Sequence, residues 1–231
     1  MIPLELEIIY RDEHLIAINK PHGLAVHASK MYSGDVHFAL QTLRDQIGQK
    51  VYPSHRLDKK TSGVLLFALE KELDGPTQVL FANKEVDKTY HAILRGHVLE
   101  DGIVDYALSN TKGKVQDALS PYTVLKRYEI DVPFGHFSTS RYTLLELKPQ
   151  TGRYHQLRKH MAHIMHPIIG DRPHGCNKQN RFWKEHFKLD SMMLHAKSIT
   201  FKHPISQEEI HIKAPYSAEF KRGLEIVDRG Y

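Results

Sequence analysis

The stretch His55-Arg56-Leu57-Asp58-Lys59-Lys60-Thr61-Ser62-Gly63-Val64-Leu65-Leu66 places a polar turn directly before an apolar, strand-like run. Loops held by rigid elements are where reactive side chains tend to lie, which makes Asp58 behind Arg56 a candidate reactive group. The alternative is a surface ion pair between these two residues, followed by the ordinary turn chemistry of Thr-Ser-Gly. The composition of the stretch alone favours the ion pair.

The length and composition of the chain are those of a globular protein. It has 231 residues, of which 41% are hydrophobic and 26% charged, so it is long enough to bury a core. Lys and Arg exceed Asp and Glu by 32 to 27, an excess that fits a nucleic-acid partner without requiring one. The single cysteine excludes an intrachain disulfide framework and a cysteine-rich zinc site.

The N-terminal residues do not resemble a signal peptide, because acids stand where lysines are usual and the apolar core is missing. No run approaches the roughly 18 apolar residues that a membrane-spanning helix needs. The sequence therefore predicts a cytoplasmic protein that has no contact with a membrane.

Strand-like runs outnumber helical patterns, which favours an α+β fold with a mixed, mostly antiparallel central sheet and flanking helices. One domain over residues 1–231 is the simplest prediction. The segments 108–132 and 170–188 lack clear periodicity and are expected to be surface insertions or irregular strands. We predict strands at 4–10, 15–18, 64–69, 90–94, 141–147, 198–202 and 209–213, and helices at 36–47, 78–85, 154–165 and 217–227.

The stretch around Asp58 resembles the HRLDxxTSGxLL signature of the RluA-type pseudouridine synthase family. Three further segments are similar to the other motifs of this family, in the same order. They are NKPxGLxVH at 19–27, KxY at 88–90 and TGRxHQLR at 151–158. With the segment HPIIGD at 166–171, the resemblance spans roughly residues 15–171, so it implies the family's catalytic fold for essentially the whole chain.

The resemblance implies that uridine in RNA is isomerised to pseudouridine: the N-glycosidic bond breaks, the base rotates, and it is rejoined through carbon. It makes Asp58 the catalytic nucleophile and Arg153 the guanidinium that keeps this carboxylate ionised. It makes Tyr90 the ring that stacks on the uracil and a candidate general base. Arg56 resembles the arginine that fills the space left by the flipped base.

Each of these residues has an ordinary alternative. Tyr90 could be a half-buried strand tyrosine and Arg153 a solvated charge in the first turn of a helix. The resemblance further implies that His55, Lys20, Leu157 and Arg158 shape the site or bind substrate. Thr151 is expected to cap the helix that follows it and so to fix Arg153. Predicted phosphate contacts, which would make binding salt-dependent, are Lys20, Lys59, Lys60, Arg158, Lys159 and Arg181.

Four histidines, His155, His160, His163 and His166, lie along one predicted helix. Because there is no HExxH pattern and no acid at a suitable spacing, we expect them at the helix boundary or facing RNA. The sequence also lacks a P-loop and a dinucleotide fingerprint. No metal and no cofactor are therefore predicted.

The length of the chain before the first motif narrows the choice of substrate, because some members of the family carry an additional RNA-binding domain there and others do not. The first motif begins at Asn19, which leaves no room for a preceding S4 RNA-binding domain. The segments 139–147 and 166–171 look most like the branch that modifies uridine 65 of tRNA. The alternatives are a synthase for large-subunit rRNA and a non-catalytic RNA-binding protein. A monomer without a protein partner is expected, and the chemical route of Asp58 stays open.

Overall fold

The computed structural model describes residues 5–27 and 37–229, which divide into two compact units. The first unit is drawn from residues 1–88 and 196–217, and the second from residues 89–195 and 218–231. Each unit combines antiparallel strands with helices, so the predicted α+β fold with a mostly antiparallel sheet is confirmed. The grouping of both units as a single domain stays a prediction.

The bounds of the elements are as follows. The strands are β1 (Ile8–Arg11), β2 (Leu15–Lys20), β3 (Tyr52–Pro53), β4 (Ser62–Ala68), β5 (Asp87–Arg95), β6 (Gly102–Asp105), β7 (Leu108–Ser109), β8 (Val115–Gln116), β9 (Leu119–Ile130), β10 (Ser140–Leu147), β11 (Leu194–Lys202) and β12 (Glu209–Lys213). The helices are α1 (Ala39–Ile47), α2 (Lys71–Ala82), α3 (Gln156–His163), α4 (Asn177–Phe187) and α5 (Ala218–Arg229).

In the first unit the strand order is β1-β2-β4-β11, with β3 beside β4 and β12 beside β11. Strands β2 and β4 are buried along their whole lengths, and each contains a short continuous apolar run, 15–18 in β2 and 64–68 in β4. Leu66 of β4 belongs to a core cluster that also contains Leu73 of α2 and Ile199 of β11. The register sets Lys20 opposite Gly63. The Asp58 turn therefore leads into a central, buried strand beside the end of β2.

In the second unit the strand order is β5-β10-β9-β6, and β7 and β8 form a separate hairpin. Helix α4 is fixed to β10 through one buried hydroxyl, that of Tyr142. This hydroxyl accepts hydrogen bonds from Gln179 Nε2 (2.7 Å) and from Trp183 Nε1 (3.0 Å). A buried tyrosine hydroxyl needs such partners, because leaving it without them costs free energy.

Most predicted strands agree with the observed ones, whereas two helices differ from the prediction. The strand at 209–213 is confirmed, and most other predicted strands differ only at their ends. The helix predicted at 78–85 in fact begins at Lys71 and contains Pro76. The segments 108–132 and 170–188, for which the sequence shows no clear periodicity, contain the hairpin β7–β8, the long strand β9 and helix α4. The predicted starts of the first strand, at residue 4, and of the first helix, at residue 36, lie outside the described residues.

Replacing Gly63 by alanine should destabilise the protein strongly. Gly63 has φ 107, and an added Cβ would collide with the main-chain carbonyl of Ala196 on the neighbouring strand. Left-handed strain and overpacking together should lower the free energy of unfolding by about 3 kcal/mol, measured by urea denaturation. Gly75→Ala is the matched control, since nothing lies within 4 Å of its Cβ position. Equal effects of the two substitutions would contradict the prediction.

Candidate active site

The turn that carries Asp58 is held by main-chain hydrogen bonds. The Thr61 amide donates to the carbonyl of Asp58 (3.0 Å), which closes the turn before β4. The carbonyl of Lys59 accepts from the Gly23 amide (2.9 Å) and from Lys20 Nζ (3.2 Å). The NKPxG motif thus holds the HRLD turn, and the half-buried Asp58 side chain starts from a fixed backbone.

Lys20 is completely buried and its ammonium group donates three hydrogen bonds to main-chain carbonyls. Nζ lies 2.8 Å from the Leu24 oxygen, 2.9 Å from the Pro21 oxygen and 3.2 Å from the Lys59 oxygen. Burial lowers the pKa of Lys20 to about 7, and the negative charge of Asp58 opposes this shift. The predicted contact of Lys20 with substrate is therefore wrong, because its side chain is buried and its three hydrogen bonds go to carbonyls of the protein.

His55 connects the same turn to β4. Its Nε2 accepts a hydrogen bond from the Leu66 amide (3.1 Å), and its ring stacks on Phe81 with centroids 4.3 Å apart. Burial, helped by the positive charge of Lys88, lowers the pKa of His55 to about 3. The imidazole is thus neutral, and its role in shaping the site stays a prediction. Arg56, by contrast, is exposed beside it.

In the second unit the predicted cap Thr151 does not begin a helix. Helix α3 starts at Gln156, after His155 in the left-handed region with φ 56. The side chain of Gln156, and not that of Thr151, fixes the main chain at Arg153. Its Oε1 accepts from Thr151 Oγ1 (2.7 Å) and from the Arg153 amide (3.0 Å).

The amide nitrogen of Gln156 is satisfied as well. Nε2 donates to the carbonyl of Leu119 (3.0 Å) and to Ser120 Oγ (2.9 Å), both on β9. One buried amide therefore ties the turn of Arg153 to the sheet. Sequence reasoning missed this residue, although its place in the TGRxHQ motif was the available signal.

Arg153 is half-buried, and its Nε donates to the carbonyl of Asp117 (3.0 Å). Tyr90 is half-buried on β5, opposite Leu147 of β10. Asp58 belongs to the first unit and these two residues to the second. The pairing of Asp58 with Arg153 and the stacking role of Tyr90 stay predictions.

Arg158 forms a buried ion pair instead of the predicted phosphate contact. Its Nε and Nη2 donate to the two carboxylate oxygens of Asp171 at 2.8 and 2.7 Å, with side-chain exposures of 7% and 1%. This bidentate geometry is the strong form of an arginine–carboxylate pair. The prediction for Arg158 was wrong because its motif does not tell which way the side chain faces. Leu157 is also buried, and its substrate contact stays a prediction.

The histidines of α3 separate into buried and exposed groups. His160 is buried, with Nε2 3.0 Å from the carbonyl of Tyr106 and Nδ1 2.9 Å from Ser120 Oγ. Burial lowers the pKa of His160, so its predicted place at the boundary or facing RNA is corrected to a structural one. His163 is exposed and stacks on Tyr106. Within residues 5–27 and 37–229, no group of three or more His, Cys, Asp or Glu could hold a metal ion.

Across the same described ranges, the helices are too short or too polar to cross a membrane.

The chain was compared with known proteins. The family model of RNA pseudouridylate synthases matches residues 14–163. The tRNA pseudouridine synthase C of Vibrio parahaemolyticus is 46% identical over 225 residues, which cover 93% of this chain and 92% of that protein. The protein of the same name from Pasteurella multocida is 43% identical over 236 residues, 97% of each chain.

Two solved human structures share the fold. RNA Pseudouridylate Synthase Domain Containing 1 has a TM-score of 0.74 at 25% identity, covering 92% of this chain and 84% of that one. RNA Pseudouridylate Synthase Domain Containing 4 has a TM-score of 0.75 at 24% identity, covering 96% and 93%.

The buried ammonium of Lys20 should make stability depend on pH. Its folded pKa lies near 7, below the unfolded value of 10.5, so the unfolded chain binds more protons between these values. The contribution of Lys20 to the free energy of unfolding should then rise with pH from 7 to 10, by at most about 1.4 kcal/mol per unit. Urea denaturation of wild type and Lys20→Met across this range measures the difference. A difference that stays constant with pH would contradict the prediction.

Replacing Gln156 by leucine should destabilise the second unit. The substitution removes the acceptor of the Arg153 amide and of the buried Thr151 hydroxyl, at about 1–3 kcal/mol for each group. We expect the free energy of unfolding to fall by about 3 kcal/mol, measured by chemical denaturation. Gln150→Leu, at an exposed position, is the control and should change it by less than about 0.5 kcal/mol. A loss no larger than that of the control would speak against this role of Gln156.

Proposed function

The chain belongs to the RNA pseudouridylate synthase family, and we propose that it is a tRNA pseudouridine synthase acting on uridine 65. The observation that carries the proposal is the 46% identity to the tRNA pseudouridine synthase C of Vibrio parahaemolyticus over 93% of this chain. The segments 139–147 and 166–171, which resemble the same branch, support uridine 65 as the target. The intact set of Asp58, Tyr90 and Arg153 argues against a protein that only binds RNA.

Asp58 is the proposed catalytic nucleophile. The reaction breaks the bond between the ribose carbon C1′ and N1 of uracil, rotates the base and joins C1′ to C5; C5 then loses its proton and N1 gains one, so the product is an isomer of the substrate. A carboxylate can attack the sugar or the base, or assist loss of the base from the sugar. Each route needs an anion held at a fixed position. The hydrogen bonds of Thr61 and Gly23 to the Asp58 turn support such a fixed position.

The other roles follow from the chemistry that each side chain offers. Arg153 is proposed to stabilise the anionic form of Asp58, which a guanidinium does well because it stays charged at all relevant pH values. Tyr90 is proposed to stack on the uracil ring and to move the proton. Arg56 is proposed to fill the gap left by the extruded base, and its exposure supports this role. We further expect a cytoplasmic monomer that needs no cofactor.

The substrate is tested by mapping pseudouridine in total RNA from cells with and without this protein. Loss of the modification at uridine 65 of tRNA alone would support the proposal. Loss of a site in large-subunit rRNA would instead identify the rRNA synthase considered from the sequence. Unchanged pseudouridine in all RNA would favour a non-catalytic RNA-binding protein.

Replacing Asp58 should abolish catalysis and leave RNA binding in place. Both Asp58→Ala and Asp58→Asn remove the anion, and we expect pseudouridine formation to fall by at least about 10³-fold. Tritium release from tRNA labelled at C5 of uridine measures the rate, and filter binding measures the affinity. Asp45→Asn, an exposed acid on α1, is the control and should keep full activity. An active Asp58→Ala protein would overturn the mechanism.

A further inference from the structure

The chain that follows Arg153 forms one surface with the segment 105–117. His160 Nε2 lies 3.0 Å from the carbonyl of Tyr106, and Lys159 Nζ donates to the carbonyl of Ser109 (3.2 Å) at the base of the β7–β8 hairpin. Arg153 Nε donates to the carbonyl of Asp117, just after the hairpin. These contacts fix the hairpin against α3, beside the turn of Arg153. We call the outer side of this assembly the α3 surface; its members are Tyr106, Lys112, Lys114, Tyr154, Lys159 and His163.

Two tyrosine rings of the α3 surface are large, exposed and already held in place. Tyr106 is 47% exposed and Tyr154 is 45% exposed. Tyr106 stacks on the ring of His163 with centroids 3.8 Å apart, and Tyr154 stacks on the ring of His155 at 3.7 Å. Exposed aromatic rings that a neighbour holds in place lose little conformational entropy when a further ring stacks on them. Such rings are how proteins bind unpaired bases.

Positive charge is interleaved with these rings. Lys159 Nζ lies 5.4 Å from the centroid of Tyr154, and Lys112 and Lys114 are exposed at the tip of the hairpin. Lys112, Lys114 and Lys159 give three positive charges, against two from the exposed acids Asp105 and Asp117. A net positive surface carrying aromatic rings is complementary to a nucleic-acid strand, which presents phosphates and bases together.

The exposed face of α4 is the competing basic surface, and it is less suited to RNA. Asp190 there lies 3.7 Å from Lys184 Nζ and 3.9 Å from Arg172 Nη2. Those cations are therefore partly neutralised by a carboxylate of the protein itself.

We propose that the α3 surface is a substrate-binding site for RNA. Tyr106 stacks on an unpaired or splayed base, while Lys159 and the hairpin lysines Lys112 and Lys114 bind the phosphates on either side. This inference rests on the proposed function, because it takes the RNA substrate as the ligand. It adds Tyr106, Lys112 and Lys114, which lie outside all four motifs, and Tyr154, at a variable position within one. Lys159, already predicted as a phosphate contact, belongs to the same surface.

The test compares binding of an unmodified tRNA transcript by Tyr106→Ala and Lys159→Gln with binding by wild type over a series of salt concentrations. Tyr106→Ala should weaken binding about 5-fold or more without changing the salt dependence, as expected for loss of one stacked base. Lys159→Gln should reduce the slope of log K against log salt by about 0.7 to 0.9, as expected for one phosphate contact.

The matched controls are Phe137→Ala, which removes another ring that is 72% exposed, and Lys184→Gln on α4. Both controls should bind like wild type. Unchanged binding by Tyr106→Ala and Lys159→Gln would overturn the proposal, and so would equal losses in the controls. A wild-type protein that bound tRNA but formed no pseudouridine would refute the proposed function, and the binding data would still decide the α3 surface.

Discussion

A buried ammonium group fixes the turn on which the candidate nucleophile lies. Lys20 ends β2, and its three donors are taken by carbonyls of the NKPxG segment and of the HRLD turn. A cation can be buried in this way only where such partners compensate for the water it has lost. Removing any one partner would leave a charged donor without an acceptor inside the protein. The backbone around Asp58 is therefore constrained from both motifs at once.

In the second unit a neutral side chain, that of Gln156, constrains the backbone around Arg153. Gln156 satisfies four hydrogen bonds around the turn of Arg153, and it carries no charge whose burial must be compensated. The ion pair of Arg158 with Asp171 then joins α3 to the loop that precedes α4. Polar networks of this kind stabilise one arrangement when every member is satisfied, and are costly when one is not. Both candidate catalytic turns thus depend on buried polar residues that do no chemistry themselves.

The sequence predicted the strands and motifs better than the roles of the polar residues. Short continuous apolar runs favour buried strands at β2 and β4, because runs of four to eight apolar residues are typical of strands buried on both faces. A lysine or arginine in a motif looks the same whether it faces RNA or a carbonyl, and this is why Lys20 and Arg158 were misassigned. Burial decides between these alternatives, and burial depends on tertiary packing that no local pattern contains.

Two helices were mispredicted for local reasons. Gly75 and Pro76 both disfavour a helix interior, so the first two turns of α2 did not look helical. In α4 the buried stripe is Gln179, Trp183 and Phe187. The spacing is helical, but a glutamine at a core position hides it, since its amide is satisfied by the hydroxyl of Tyr142. A polar residue with a buried partner cannot be told from a surface residue before the partner is known.

Helix α3 shows why the position of Arg153 and the outer surface belong together. Its inner side carries Gln156 and His160, whose hydrogen bonds to Ser120 join the helix to β9. Its outer side carries Lys159, in contact with the hairpin that follows β6. One short helix therefore holds both sets of contacts, and we expect a displacement of its outer side to strain the bonds of Gln156. The Arg153 turn and the hairpin side of the α3 surface are therefore supported by the same eight-residue helix.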